Sequence, residues 1–583
     1  MKQHVDSLKP FPLRPAHQVM KLDRLGAFHQ TRLSFMRAVM RRLKRDSWTF
    51  ECPIWRINEK GEGVAVYLAK GPKRTYSMVC FAHDLDPAQR SDRVIAEAWD
   101  TTFALHDGVI SEEDIERLSH NVPKQEAGRC LDSELVLSRA NKSVRLFEYV
   151  VDRLASGEQP DQETLDKVGY LMRTTAVYGN GKLGMADRDR ISDREEMLGP
   201  FRAEMLAVWL IRTFVSDYVE QMAKYRSPET AVKLDPEIRR SLGVGNSTGL
   251  GMAPFLVNHP ILLHSWIHAR ETALARVRAL PDMNMVDLAH YEKHLECAFQ
   301  SLERWHTDDE RQTGKVEKLK ADLEKLRAKP LDDFLGFDQP WDAIYRWGEA
   351  ELSLEGQEIL VSLLLEPHGT EIDDLASVMY AEENDNFRID GSLCVSDMLS
   401  TLEEHYAWAL DVDYNAHPNS VYFWYVSEEK LEPRLGSRAD EPGSDLEQPL
   451  SIGRDAARLY QDLTISKPEE TVGSFLLRHP EHRLLARRVQ LTQRYPYAEI
   501  HDNLIGEDLL PVDLLRCKLS FFGATRFDPR SDRWVRITMF QNAPYPHELS
   551  SMNEDDWAYP LVEPPEFKSE FKPETKSACQ GES

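Results

Sequence analysis

The chain has 583 residues, 42% hydrophobic and 29% charged, which argues against disorder as the default state and for more than one packed unit. A formal net charge of −25 excludes a broadly basic, counterion-releasing surface, so DNA is not an expected partner. The seven cysteines (Cys52, Cys80, Cys130, Cys297, Cys394, Cys517 and Cys579) are odd in number and scattered, without a Cys-x-x-Cys pair. That pattern speaks against a disulfide framework or a cysteine-rich zinc site and fits reduced thiols in a cytoplasm.

The opening stretch, MKQHVDSLKPFPLRP, lacks the apolar run of a secretory signal, and no stretch approaches the roughly 18 apolar residues of a membrane span. No membrane association is expected. Residues 21–45 read as a basic amphipathic helix with Leu22, Leu25, Phe28, Phe35, Val39 and Leu43 on one face. Residues 48–84 change to strand composition, with glycine turns at NEKGEG and GPKR, and predict a three-stranded antiparallel meander. Helices are then expected at 91–105, 111–119, 132–155 (Asp132 as N-cap), 162–176, 200–224 and 260–279. The apolar run from Met205 is broken by Arg212 and Asp217, which makes it a buried core helix rather than a span.

Leu288, Tyr291, Leu295, Phe299 (or Ala298) and Leu302 recur at spacings of three and four, as do Leu319, Leu323 and Leu326. Residues 282–329 therefore predict an antiparallel helical hairpin with a coiled-coil-like seam, ended by Pro330. Residues 350–410 look helical, SVYFWYVS from Ser420 looks like a strand, and 433–450 reads as an acidic connector. RCKLSFFGATRF and RWVRITMFQ predict a late β hairpin, and a Pro- and Glu-rich tail follows Pro560. The expected fold class is α+β and predominantly helical, with a small antiparallel meander near the N-terminus and a β hairpin near the C-terminus. The units would be 1–120, a helical body over 121–430, a C-terminal α+β unit over 431–560, and a mobile tail over 561–583.

Two glycine-rich segments share their ends. GNGKLGMA runs from Gly179 to Ala186, and GNSTGLGMA runs from Gly245 to Ala253. Read as loops at helix junctions, they are suited to cradle an anion, because glycine lets backbone N–H groups converge without interference from Cβ. Gly179, Asn180, Lys182, Arg188, Gly245, Asn246, Thr248 and Gly249 are the expected substrate-binding residues. The alternative is that both are packing turns. Neither segment satisfies the Walker A or the dinucleotide glycine pattern. Gly245-Asn246-Ser247-Thr248-Gly249 does match Gly-x-Ser-x-Gly, which makes Ser247 a candidate nucleophile. Tyr178 precedes the first segment and could donate a proton.

His264 and His268, with Glu271, and His290 and His294, with Glu296, form two His-x3-His pairs. Residues four apart share a helical face, so each pair could hold one divalent metal, or the two pairs could pool their ligands. The competing reading is satisfied structural histidines. His264 and His268 also stand as acid–base candidates because they follow the second glycine segment.

The resulting expectation is a cytoplasmic enzyme acting on a small anionic metabolite, carboxylate or phosphate, in a cleft between the glycine segments. Its reaction class and cofactor are left open. Three alternatives stand beside it: a scaffold that uses the 282–329 hairpin, through which the chain could also form a homo-oligomer; a metal-dependent enzyme; and a serine hydrolase using Ser247.

Overall fold

Nine strands drawn from both ends of the chain pair into one sheet in the computed structural model. The structure describes residues 11–84, 99–121, 131–179, 181–182, 185–186, 194–197, 201–249, 260–303, 310–377, 387–414, 423–426, 433–436, 452–501, 511–524, 526–531, 534–551 and 557. Strands β1 (Thr49–Ile57), β2 (Gly63–Lys70), β3 (Thr75–Ala82), β4 (Thr101–Asp107), β5 (Glu134–Lys142) and β6 (Tyr170–Gly179) follow one another as an antiparallel meander. A short hairpin of β7 (Gly181–Lys182) and β8 (Met185–Ala186) comes next. Strand β9 (Gly243–Gly249) then lies parallel to β6. A separate two-stranded ribbon joins β10 (Phe423–Val426) to β11 (Pro433–Gly436). Strands β12 (Arg526–Ser531) and β13 (Trp534–Met539) close the sheet, giving the order β1-β2-β3-β4-β5-β6-β9-β13-β12.

This corrects the expected fold class. The β structure is one large, curled, mixed sheet and not a small meander plus a separate hairpin. The meander over 48–84 is present as its first three strands, and the late hairpin is present as its last two. Between them, residues expected to be helical are strands: 101–105 lie in β4, 134–142 in β5 and 170–176 in β6. The reason is burial on both faces. Ala65, Tyr67, Ala69, Tyr76, Met78, Cys80, Phe103 and Leu105 face the main core. Val66, Leu68, Val79, Phe81, Ala104 and Leu137 face a second cluster under Ile110, Ile115 and Leu118. A strand buried on both sides loses the apolar–polar alternation that identifies it. Residues 516–522, expected to open the late hairpin, belong instead to the helix Pro511–Phe522.

The helix Arg202–Arg226 packs against β3, β4, β5, β6 and β9. Its apolar residues are buried on nearly every side, as the sequence around Met205 predicts. The two charges that interrupt its apolar run, Arg212 and Asp217, are both satisfied. Arg212 donates to the carbonyls of Leu242 and Ala543, each at 2.7 Å, and of Arg240 at 2.9 Å. Asp217 accepts from Tyr67 Oη at 2.7 Å and pairs with Arg239 at 2.6 Å. Arg212 thereby anchors the chain on either side of the sheet's last strands to the central helix.

The helices Met285–Glu303 and Glu310–Ala328 form as expected and pack on each other. Leu288, Tyr291, Leu295, Leu302, Leu319, Leu323 and Leu326 are all buried. Their seam is continuous with the main core, because both helices also pack on Leu354–Leu365. Residues 21–45 are not one helix: Leu22–Leu25 and Phe35–Arg45 are separated by a non-helical stretch. The helices Val395–His405, Ile452–Thr464, Val472–Arg478 and Arg483–Arg494 enclose a smaller core of their own around Leu402, Leu459, Val472, Phe475 and Val489. No helix among the described residues is long and apolar enough to cross a membrane. The tail beyond 560 lies outside the described residues.

Candidate functional site

The two glycine segments are not loops between helices. Gly179 ends β6, and Gly245–Gly249 are ladder positions of β9. The two strands are parallel neighbours, with Arg173 opposite Gly245 and Thr174 opposite Asn246. Asn246 Nδ2 donates to Thr174 Oγ1 at 3.1 Å, and Thr174 Oγ1 donates to the Gly245 carbonyl at 3.1 Å. The two strands therefore run in the same direction to their ends at Gly179 and Gly249. In the first segment Lys182 sits in the β7–β8 hairpin opposite Met185. Tyr178 pairs with Leu137 inside β6. Asn180, Arg188 and residues 250–259 lie outside the described residues.

This geometry changes what the segments can do. Backbone groups of β9 pair with β13 from Val244 to Gly249 and with β6 only as far as Asn246, so the Gly243–Asn246 stretch is not a backbone N–H cradle. Gly245 is a packing residue: a Cβ on it would meet the Tyr170 ring at 2.6 Å. Gly243 is pressed on the Met539 carbonyl in the same way, at 2.5 Å. Ser247 lies opposite Arg536 in an interior strand. That is not the sharp strand-to-helix turn a nucleophile elbow requires, so the serine hydrolase alternative loses its structural basis.

His264 and His268 lie on the helix Pro260–Arg278, with ring centroids 5.2 Å apart. The backbone N–H of Tyr497 donates to His264 Nδ1 at 3.2 Å, and the Tyr497 ring stacks on His264 at 5.6 Å. With Nδ1 accepting, the neutral ring carries its proton on Nε2. Burial, helped by His268, pushes the His264 pKa down to about 3. The ring is then neutral at pH 7, a hydrogen-bond donor and a weak base, so it does not fit the expected role of a general base near neutrality. His268 is exposed and shifted the same way by partial burial. Beneath them Tyr497 Oη donates to the Arg14 carbonyl at 2.6 Å, and Arg14 grips Glu271 with two bonds of 2.7 and 2.6 Å. Glu271, noted beside the pair in sequence, is thus committed to an ion pair.

His290 and His294 do meet, Nε2 to Nε2 at 3.0 Å. His294 is buried and lies 3.9 Å from the Glu366 carboxylate. Both oxygens of Glu366 are held by Arg37 at 2.7 Å, which neutralises the carboxylate as a metal ligand. His368 is buried beside them, with its ring edge-on to Trp341 at 4.6 Å. Among the described residues the two histidine pairs do not gather with each other into one ligand group.

Among the described residues, the group whose ligating atoms do converge is Asp462, His479, Glu481 and His482. The sequence reading missed it because it followed His-x3-His spacing on long helices. The signal was present as His479-Pro480-Glu481-His482, two histidines three apart across a short turn. Asp462 could not have been linked to them without the packing of two helices. No protein family, curated protein or solved structure matches this chain.

Proposed function

We propose that this protein is an enzyme acting on a small anionic metabolite bound where β6 and β9 leave the sheet together. The observation that carries the reading is the parallel pairing of Thr174 with Asn246, from which β6 and β9 run side by side, in the same direction, to their ends at Gly179 and Gly249. Adjacent parallel strands ending together are a recurrent place for ligands to sit, outside the carboxyl ends of the strands. Lys182 supplies a cation, and Ser247 and Thr248 supply hydroxyl donors, the groups that bind a carboxylate or phosphate. Tyr178, next to Gly179, is the proton donor of this reading, since His264 is held neutral. The buried, packing role of Gly245 favours recognition by side chains over a backbone cradle.

The test is a thermal-shift panel of inorganic phosphate, malonate and citrate on wild type, Lys182→Ala and Ser247→Ala. One anion should raise the wild-type melting temperature, and both variants should lose that rise while keeping the ligand-free melt. Loss of a charge-assisted hydrogen bond is worth about 1.5–3 kcal/mol, or roughly tenfold to a hundredfold in affinity. A panel without any shift, or a shift retained in both variants, removes the proposal.

A further inference from the structure

The small C-terminal bundle carries four side chains that the anion site does not use. Asp462 lies in the last turn of Ile452–Thr464. His479 caps Val472–Arg478, and Glu481 and His482 lie in the single turn Pro480–His482 that leads into Arg483–Arg494. One ligating atom from each of the four lies within 4.8 Å of every other. Two contacts are close: His482 Nε2 to Asp462 Oδ2 at 2.7 Å, and His479 Nδ1 to Glu481 Oε1 at 3.3 Å. We propose that these four residues bind one divalent transition-metal cation of the zinc class.

Four features favour an ion over a pair of ordinary ion pairs. First, the donor set is two imidazoles and two carboxylates, the chemistry zinc-class ions take, whereas magnesium and calcium favour oxygen ligands alone. Second, two carboxylates balance the charge of a divalent ion, so the loaded site is close to neutral. Third, tetrahedral bonds of about 2.0–2.2 Å put ligand atoms roughly 3.3–3.5 Å apart. The two close contacts, 2.7 and 3.3 Å, lie at or just below that range and the other separations stay within 4.8 Å, so movements on the order of 1 Å would arrange all four atoms around one centre. Fourth, the histidines are held in place. Phe475, itself buried in the bundle core, stacks on His479 at 4.7 Å and on His482 at 6.0 Å.

The site also has an entry path. His482 is buried, Asp462 and His479 are half-buried, and Glu481 is exposed, so one side of the cluster faces solvent. A bound ion would join the end of one helix to the turn between the next two, and so would stabilise the bundle by linkage.

The experiment uses the full chain, stripped with a chelator and titrated with ZnCl2 by calorimetry, with MgCl2 as control. One zinc per chain should bind, magnesium should not, and the melting temperature should rise with zinc alone. Co2+ loaded in place of zinc should give visible d–d absorption that zinc displaces. His479→Ala and Asp462→Asn should weaken binding by at least the roughly 10–100-fold that follows loss of even an outer-shell partner. If His482→Ala lowers the metal-free melt, the exposed Glu481→Gln carries the test without that complication. The absence of stoichiometric zinc binding overturns the proposal. So does binding that survives in His479→Ala/His482→Ala, since the ion would then sit elsewhere, for example at His264 and His268.

Discussion

Arg37 and Glu366 meet as two parallel forks, Nη1 to Oε1 and Nη2 to Oε2 both at 2.7 Å, with both side chains fully withdrawn from water. They join the helix Phe35–Arg45 to the end of Leu354–Leu365. Arg37 is the chief attraction that draws the Glu366 pKa below the usual carboxylate range, against the opposing effect of burial. Such a pair need not exceed a hydrophobic pair of the same shape in stability, but breaking one half is severe. Arg37→Met should destabilise by about 3–5 kcal/mol, because it strands a buried carboxylate. Arg37→Met/Glu366→Leu should recover much of that loss. Urea unfolding of the two variants measures both numbers, and a double variant no better than the single would show that the pair does more than neutralise itself.

The helical hairpin makes a sharper prediction than the sequence alone allowed. Leu295 is buried in a seam that also faces Leu354–Leu365, so that face is not free for a partner. Leu295→Asp should destabilise the fold by more than about 4 kcal/mol, since a carboxylate would enter the main core. Glu292→Ala, at an exposed position three residues earlier, should change stability by only about 0.5 kcal/mol. A thermal melt separates the two. A normal melt for Leu295→Asp would show that Leu295 does not pack in the core.

Gly245 decides between architecture and ligand binding at one position. A Cβ there would press into the Tyr170 ring at 2.6 Å, and Tyr170 is itself buried. Gly245→Ala should therefore cost about 1–3 kcal/mol through overpacking. The melting temperature should fall with no ligand present. A variant with an unchanged melt and altered anion response would return Gly245 to the binding residues.

What the sequence disclosed, and what it withheld, follows from burial and from distance along the chain. Helices such as Arg202–Arg226 and Pro260–Arg278 were legible because their apolar residues recur with helical period or run unbroken. Strands β1–β3 were legible from β-branched and aromatic composition bounded by glycine turns. Strand β9, GVGNSTG, has three glycines and little intrinsic strand preference. Its extended form is imposed by β6 on one side and β13 on the other. The pairs Arg14–Glu358 and Arg37–Glu366 join residues more than three hundred positions apart, so no local pattern announces them. Asp462 is the same case at the metal site: its partners are near in sequence, yet only helix packing points it at them.

The buried histidines predict a pH dependence whose sign is determined by their environment. Burial pushes His294 down to about 4 and His368 down to about 3, from an ordinary value of 6.5. Nδ1 of His294 and Nε2 of His368 have no hydrogen-bond partner among the described residues, and the Glu366 carboxylate 3.9 Å from His294 offsets only part of its burial. Well above pH 6.5, by about pH 8, both rings are neutral in folded and unfolded chains, and they add no pH dependence. Below it the unfolded chain takes up protons that the folded chain refuses, so stability falls as pH drops from about 6.5 toward 4. Each histidine contributes a slope of up to about 1.4 kcal/mol per pH unit across that window. His368→Phe keeps an aromatic ring against Trp341 and removes one of the two groups. Its stability should fall less steeply between pH 6 and pH 4.5 than that of wild type, by about 1.4 kcal/mol per pH unit at most. Urea midpoints at several pH values measure this slope, and equal slopes in the two proteins would place the proton of His368 outside the folding equilibrium.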